Sequence, residues 1–134
     1  MTHSRQVKFW LPPVVYTFII VFASSLPQRI VVEYTFKLSD KLLHTGHYMF
    51  YGITLIWAFL GPRELAGAFK KAYLKAIGVG VLVGILDEFY QSFIPSRTSS
   101  GWDALADTVG IIMAGVVFYY VMKIPKLEKI RRHA

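Results

Sequence analysis

A chain of 134 residues with 54% hydrophobic and 16% aromatic side chains is more apolar than a soluble domain of that size, which excludes a disordered or polar chain and points to lipid. Its net charge of +7 sits in short flanking segments, and without a groove-reading helix, a stacking platform or finger spacing it does not point to nucleic acid. The absence of cysteine excludes disulfides, thiolate metal sites and cysteine nucleophiles.

Four apolar stretches, near 9–26, 42–60, 74–94 and 104–122, predict an all-α integral membrane four-helix bundle that forms one domain over 1–134. Each runs roughly 17 to 21 residues, against the about 20 that a helix needs to cross the hydrocarbon core. The first carries Pro12 and Pro13, expected in its opening turn, where a missing N–H is harmless. A cleaved signal peptide is the rival reading of this stretch, with Arg5 and Lys8 as its basic region and Ala23-Ser24-Ser25 as the processing site. The segment 27–41 mixes charges with apolar and aromatic residues, as expected of a stretch along the interface or of an irregular loop.

Orientation follows from the basic residues. Arg5 and Lys8 precede the first stretch, Arg63, Lys70, Lys71 and Lys75 lie between the second and third, and Lys123, Lys126, Lys129, Arg131 and Arg132 follow the fourth. The alternate connections carry only Arg29, Lys37, Lys41 and Arg97, so both termini are expected in the cytoplasm. The basic C-terminal tail then reads as a topology signal beside anionic lipid. Gly78, Gly80, Gly84 and Gly110 permit close helix approach, with Gly80 and Gly84 in GxxxG spacing, and are expected to serve packing within the bundle rather than dimerisation. The oligomeric state stays open. Trp10, Trp57 and Trp102 fall near segment ends, where interfacial aromatics sit.

Ionisable side chains inside apolar stretches are costly, and here they gather at the outer ends. Asp40, His44, His47 and Tyr51 follow one another at spacings of four, three and four, on one face of the second helix. Asp87, Glu88 and Gln91 end the third helix, Asp103 and Asp107 begin the fourth, and Arg97 stands in the connection between them. The inner halves, GVGVLVGIL and GIIMAGVVFYYVM, hold no such group, which argues against a continuous ion or proton path. His44 and His47, with Asp40, Asp87 and Glu88, are candidate ligands for a divalent metal: zinc or manganese with nitrogen and oxygen, or magnesium with oxygen alone. Asp107 is a further carboxylate in reach. HxxH lacks the glutamate of the HExxH helix, so no fixed ligand set follows. Histidine flanked by carboxylates is equally a candidate general base or acid.

The segments DKLLHTGHYMFYGITL and GILDEFYQSFIPSRTSSGWDALADTVGIIMAG resemble the VanZ-like family of small bacterial membrane proteins. The shared pattern is an acidic-His-Tyr signature, then Asp-Glu, a Gln three residues after the Glu, a Pro-x-Arg turn, an Asp, and a helix with spaced glycines, across residues 38–120. It carries Asp40, His44, Tyr51, Asp87, Glu88, Gln91, Arg97 and Asp103, with Asp107 where members often have Asn and Ser96 where the turn often has Gly. The resemblance implies a multi-pass protein of the bacterial cytoplasmic membrane with its site facing outward. It also implies a link to low-level resistance to teicoplanin, a glycopeptide antibiotic that bears an acyl chain.

The functional expectation is an outer-leaflet polar pocket that binds or modifies a lipid-linked or acylated amphipathic molecule among membrane lipids. His44, Asp87, Glu88 and Asp107 are the candidate acids and bases. Lys41, Tyr51, Gln91, Arg97 and Asp103 are the candidate substrate contacts, and a carboxylate is expected within salt-bridge reach of Arg97. If the site does chemistry, the reaction class is a hydrolysis or a group transfer. Ser96, Thr98, Ser99 and Ser100 lie next to Arg97, but loops commonly contain such residues and no serine is paired in sequence with a base. A purely binding protein and an assembly protein locked by salt bridges are the two rivals.

Overall fold

A computed structural model describes residues 3–26, 37–63, 65–95, 97 and 99–133. Most of the segment expected along the interface, and Ser96 and Thr98 of the later connection, lie outside the described residues. The described chain is all helical: α1 His3–Ser25, α2 Lys37–Leu60, α3 Leu65–Gln91, α4 Gly101–Met122 and α5 Pro125–His133. Two stretches, Val7–Ser25 and Gly101–Met122, are long and apolar enough to cross a membrane.

Several helix boundaries differ from expectation, and α2 begins at Lys37, so residues 37–41 of the expected connection belong to it. Helix α1 begins well before Pro12 and Pro13, which therefore lie inside it and leave the carbonyls of Lys8 and Phe9 without their usual helical donors. Helix α3 begins at Leu65, so Lys70 and Lys71 lie on its first two turns rather than in a loop; helix-favouring Ala, Leu and Lys outweigh their charge there. The C-terminal tail forms α5, whose Arg131 is fully buried and donates to the carbonyls of Gly61 and Arg63. Gly61 ends α2 with φ 55°, a conformation that glycine reaches without a Cβ penalty, and its N–H closes on Trp57 O at 2.9 Å.

The four long helices run up and down. Phe9 meets Trp57 and Tyr16 meets His47, so α1 and α2 are antiparallel; Tyr48 meets Asp87 and Lys75 lies over Phe59, so α2 and α3 are too. Helices α2 and α4 are parallel and pack most closely. A Cβ at Gly110 would fall onto the Thr45 carbonyl and within 2.9 Å of Met49 N, so the two backbones touch there. Gly80 receives Ile111 and Gly84 receives Asp107 and Tyr48, which places the GxxxG pair inside the bundle; Gly78 faces open space. Helix α1 packs on α2 and α3, across from α4. Tyr48, Tyr51, Leu55, Ile56, Ala76, Ile111, Ala114 and Phe118 form the core.

The outer surface is apolar. Phe18, Phe22, Phe89 and Phe93 are each between 63% and 72% exposed, and Phe50, Leu74, Leu82, Ile112 and Val116 also face outward. Trp102 is exposed at the start of α4, Trp10 is exposed against Phe59, and Trp57 is half-buried against Phe9.

Candidate functional site

The end of the bundle that gathers the C-termini of α1 and α3 with the N-termini of α2 and α4 holds the polar cluster. Helical spacing brings its members to one layer but turns them toward different neighbours. Of the α2 face, Lys41 and His44 look to α4, while His47 and Tyr51 look to α1. Lys41 pairs with Asp103 and approaches Asp40 at 3.4 Å. His44 Nδ1 lies 2.9 Å from Asp107 Oδ1. The His47 ring packs on Tyr16, whose hydroxyl donates to the His47 carbonyl. Tyr51 is buried and shares a 3.0 Å hydrogen bond with Thr17. The periodicity of α2 reports a face, and this central helix has a partner on each flank of it.

Asp87, Glu88, Gln91, Asp103 and Asp107 are all buried, Asp107 to 1% exposure. Asp87 Oδ2 accepts from Gln91 Nε2 at 3.0 Å and from the Tyr48 hydroxyl at 3.4 Å. Glu88 Oε2 accepts from the Ser100 N–H at 2.9 Å, and Ser100 in turn caps α4 through its hydroxyl. Two buried carboxylate oxygens, Glu88 Oε1 and Asp107 Oδ2, accept no hydrogen bond among the described residues.

Among the described residues Arg97 meets no carboxylate, in place of the expected ion pair. Its Nε donates to Leu26 O at 3.1 Å, Nη2 to Ala23 O at 2.7 Å and Nη1 to Gln91 Oε1 at 3.3 Å. A helix C-terminus presents unpaired carbonyls with partial negative charge, and the guanidinium fork fits them as it would a carboxylate. Arg97 therefore fastens the end of α1 to α3. Backbone carbonyls carry no mark in a sequence, so this partner was invisible there.

A cavity of about 260 Å³ opens between α1, α2 and α3. Asp40, His44, His47, Asp87, Gln91 and Arg97 form its polar side; Ile20, Ala23, Leu26 and Leu43 form its apolar side. Lys41 and Arg97, expected to meet an anionic group, are both already engaged, by Asp103 and by carbonyls, and on the polar wall Asp87 and Gln91 are hydrogen-bonded to each other. Tyr51 and Asp103 lie behind the wall, in contacts between helices. The expected metal set is regrouped as well. His44, Glu88 and Asp107 bring ligand atoms within 4.8 Å of one another, as do Asp40, His44 and Asp103, while among the described residues His47 and Asp87 join neither group. Sequence reasoning missed Ser24, a buried hydroxyl on α1 that accepts from Gln91 Nε2, because a serine in an apolar stretch gives no sign of which helix it faces.

Comparison with protein-family models, with curated proteins and with solved structures finds no match.

Proposed function

We propose that the chain is a VanZ-like membrane protein with four spans and cytoplasmic termini, whose outward-facing cavity binds the head of an acylated amphipathic molecule. The observation that carries this reading is the two-sided cavity. The carboxylates, imidazoles and amide at the helix ends suit a polar head bearing hydroxyl or amine groups, and the apolar wall of Ile20, Leu26 and Leu43 leads toward the exposed apolar surface, where an acyl chain would lie.

The membrane setting is supported by the exposed apolar belt. Only 22% of the apolar stretch of α1 and 39% of that of α4 is buried, whereas the core helix of a soluble protein would be mostly buried. Helices α2 and α3 carry the same belt, through Phe50 on one and Leu74, Leu82 and Ile85 on the other, between charged ends. Exposed Lys8, Arg63, Lys70, Lys71, Lys126 and Arg132 lie at the end opposite the cavity, which supports placing that end in the cytoplasm.

Binding is tested in lipid nanodiscs with teicoplanin and with its core lacking the acyl chain. The acylated form should bind at least about tenfold more tightly, since each buried methylene contributes about 0.8 kcal/mol. Leu43→Trp should fill the cavity and abolish the difference. Equal binding of both forms, or no effect of Leu43→Trp, would sink the proposal. A second reading, in which the site does chemistry, is favoured by the His44–Asp107 pair, because a carboxylate bound to one imidazole nitrogen orients the ring for proton transfer at the other.

A further inference from the structure

Behind the cavity wall, the negative charge of the cluster outruns the positive charge that touches it. Lys41 serves Asp40 and Asp103, and Arg97 serves carbonyls. Among the described residues, no Lys, Arg or His nitrogen lies within 4.0 Å of Glu88, which is 6% exposed. Its Oε1 and the Oδ2 of Asp107 are both buried and, among the described residues, meet no hydrogen-bond donor. A carboxylate oxygen withdrawn from water and left unmatched is strongly disfavoured, so two of them in one place call for a cation.

The local backbone is shaped for this. Asp107 Oδ2 lies against Gly84 of α3, where an added Cβ would come within 3.5 Å of it, and Glu88 stands one turn further along the same helix face. His44 reaches in from α2 on the other side. We infer that His44, Glu88 and Asp107 form a divalent transition-metal site, for zinc or manganese, that ties α2, α3 and α4 together at the base of the cavity. Their ligand atoms lie within 4.8 Å of one another. A tetrahedral ion bound at about 2.0–2.2 Å separates its ligand atoms by about 3.4 Å, so small side-chain rotations close the set. One imidazole and two carboxylates, with no thiolate, suit these metals better than copper(I) or an iron–sulfur cluster. Three protein ligands leave a coordination position, and His44 also lines the cavity, so a bound head group would meet the ion beside that residue. The site itself does not depend on what the cavity binds.

The probe is the metal alone. Detergent-purified protein is stripped with chelator, then titrated with Zn²⁺, Mn²⁺ or Mg²⁺ by calorimetry, with elemental analysis after desalting. One Zn²⁺ or Mn²⁺ per chain is expected. Glu88→Gln and Asp107→Asn should each weaken binding at least as much as loss of an outer-shell partner does, about 10–100-fold, and Asp40→Asn should not. Because a variant can misfold, thermal unfolding is followed with and without metal. The ion should raise the wild-type midpoint and leave that of Glu88→Gln unmoved, while metal-free Glu88→Gln, relieved of an unmatched charge, should be no less stable than metal-free wild type. No binding of either transition metal, or a loss on Asp40→Asn with Glu88→Gln unaffected, would overturn the inference, and neither result bears on teicoplanin binding.

Discussion

Arg97 shows how a residue picked out by type can be given the wrong work. Its place among carboxylates made an ion pair the natural expectation, yet its three donor groups go to Leu26, Ala23 and Gln91. Arg97→Lys keeps the charge but loses the fork, and should destabilise the protein by about 0.5–1.5 kcal/mol as the half-buried ends of α1 and α3 lose their shared donor, read as a lower unfolding midpoint in detergent. Asp87 gives the opposite expectation. Its Oδ2 accepts from Gln91 and Tyr48, and an asparagine oxygen can take both bonds, so Asp87→Asn should change stability by less than about 1 kcal/mol. A salt-bridge lock would instead cost about 3–5 kcal/mol, and a loss of that size would revive it. Asp40, His44, Asp87, Glu88, Asp103 and Asp107 were legible as a cluster because charge in an apolar stretch is conspicuous. Their pairing was not, since a spacing of three or four residues names a face and not the helix opposite it.

At the scale of elements, the tightest joint is between α2 and α4. Gly110→Ala would place a methyl group on the Thr45 carbonyl, in backbone that cannot swing aside, and should cost about 1–3 kcal/mol or more by forcing the helices apart. Gly78→Ala meets nothing and should be neutral or stabilising by up to about 1 kcal/mol through helix propensity. Comparing the two unfolding midpoints separates a packing glycine from an incidental one, a distinction their shared place in apolar sequence could not supply. Apolar length placed the four long helices well, but it ended them where charge begins. Lys70 and Lys71 continue α3, and Lys126 and Lys129 belong to α5, because charged side chains on a helix end reach water without unwinding it.

For the molecule as a whole, the proposed topology makes the cavity an outer-face feature. Reporter fusions at Pro62 and after Ala134 should read cytoplasmic, and fusions at Ser92 or Ser99 should read external. The turn at 61–63 is the place to probe on the inner side, since α3 begins at Leu65. An external C-terminus would invert the molecule and place the cavity in the cytoplasm. Helical content and the number of long helices followed from sequence periodicity. A polar pocket was expected from the clustered charges, but its place between α1, α2 and α3 was not, because the apolar residues of α1 that form one wall carry no sign of which helices they face.

The parallel run of α2 and α4 behaves as a ratchet with a single notch. Lys41 sits opposite Asp103, and His44 opposite Asp107. Asp103 and Asp107 are one helical turn apart, so a slide of α4 by about 5.4 Å would bring Asp107 to Lys41, or Asp103 to His44. The charges alone would accept either neighbouring register. Gly110 does not: the same slide would carry Ala114 or Ala106 to the point where Thr45 and Met49 leave no room for a Cβ. Piston motion along this seam is therefore blocked at every turn but one, which leaves the α1 side as the looser wall of the cavity, where the Arg97 bonds to Ala23 and Leu26 are the catch that holds it closed.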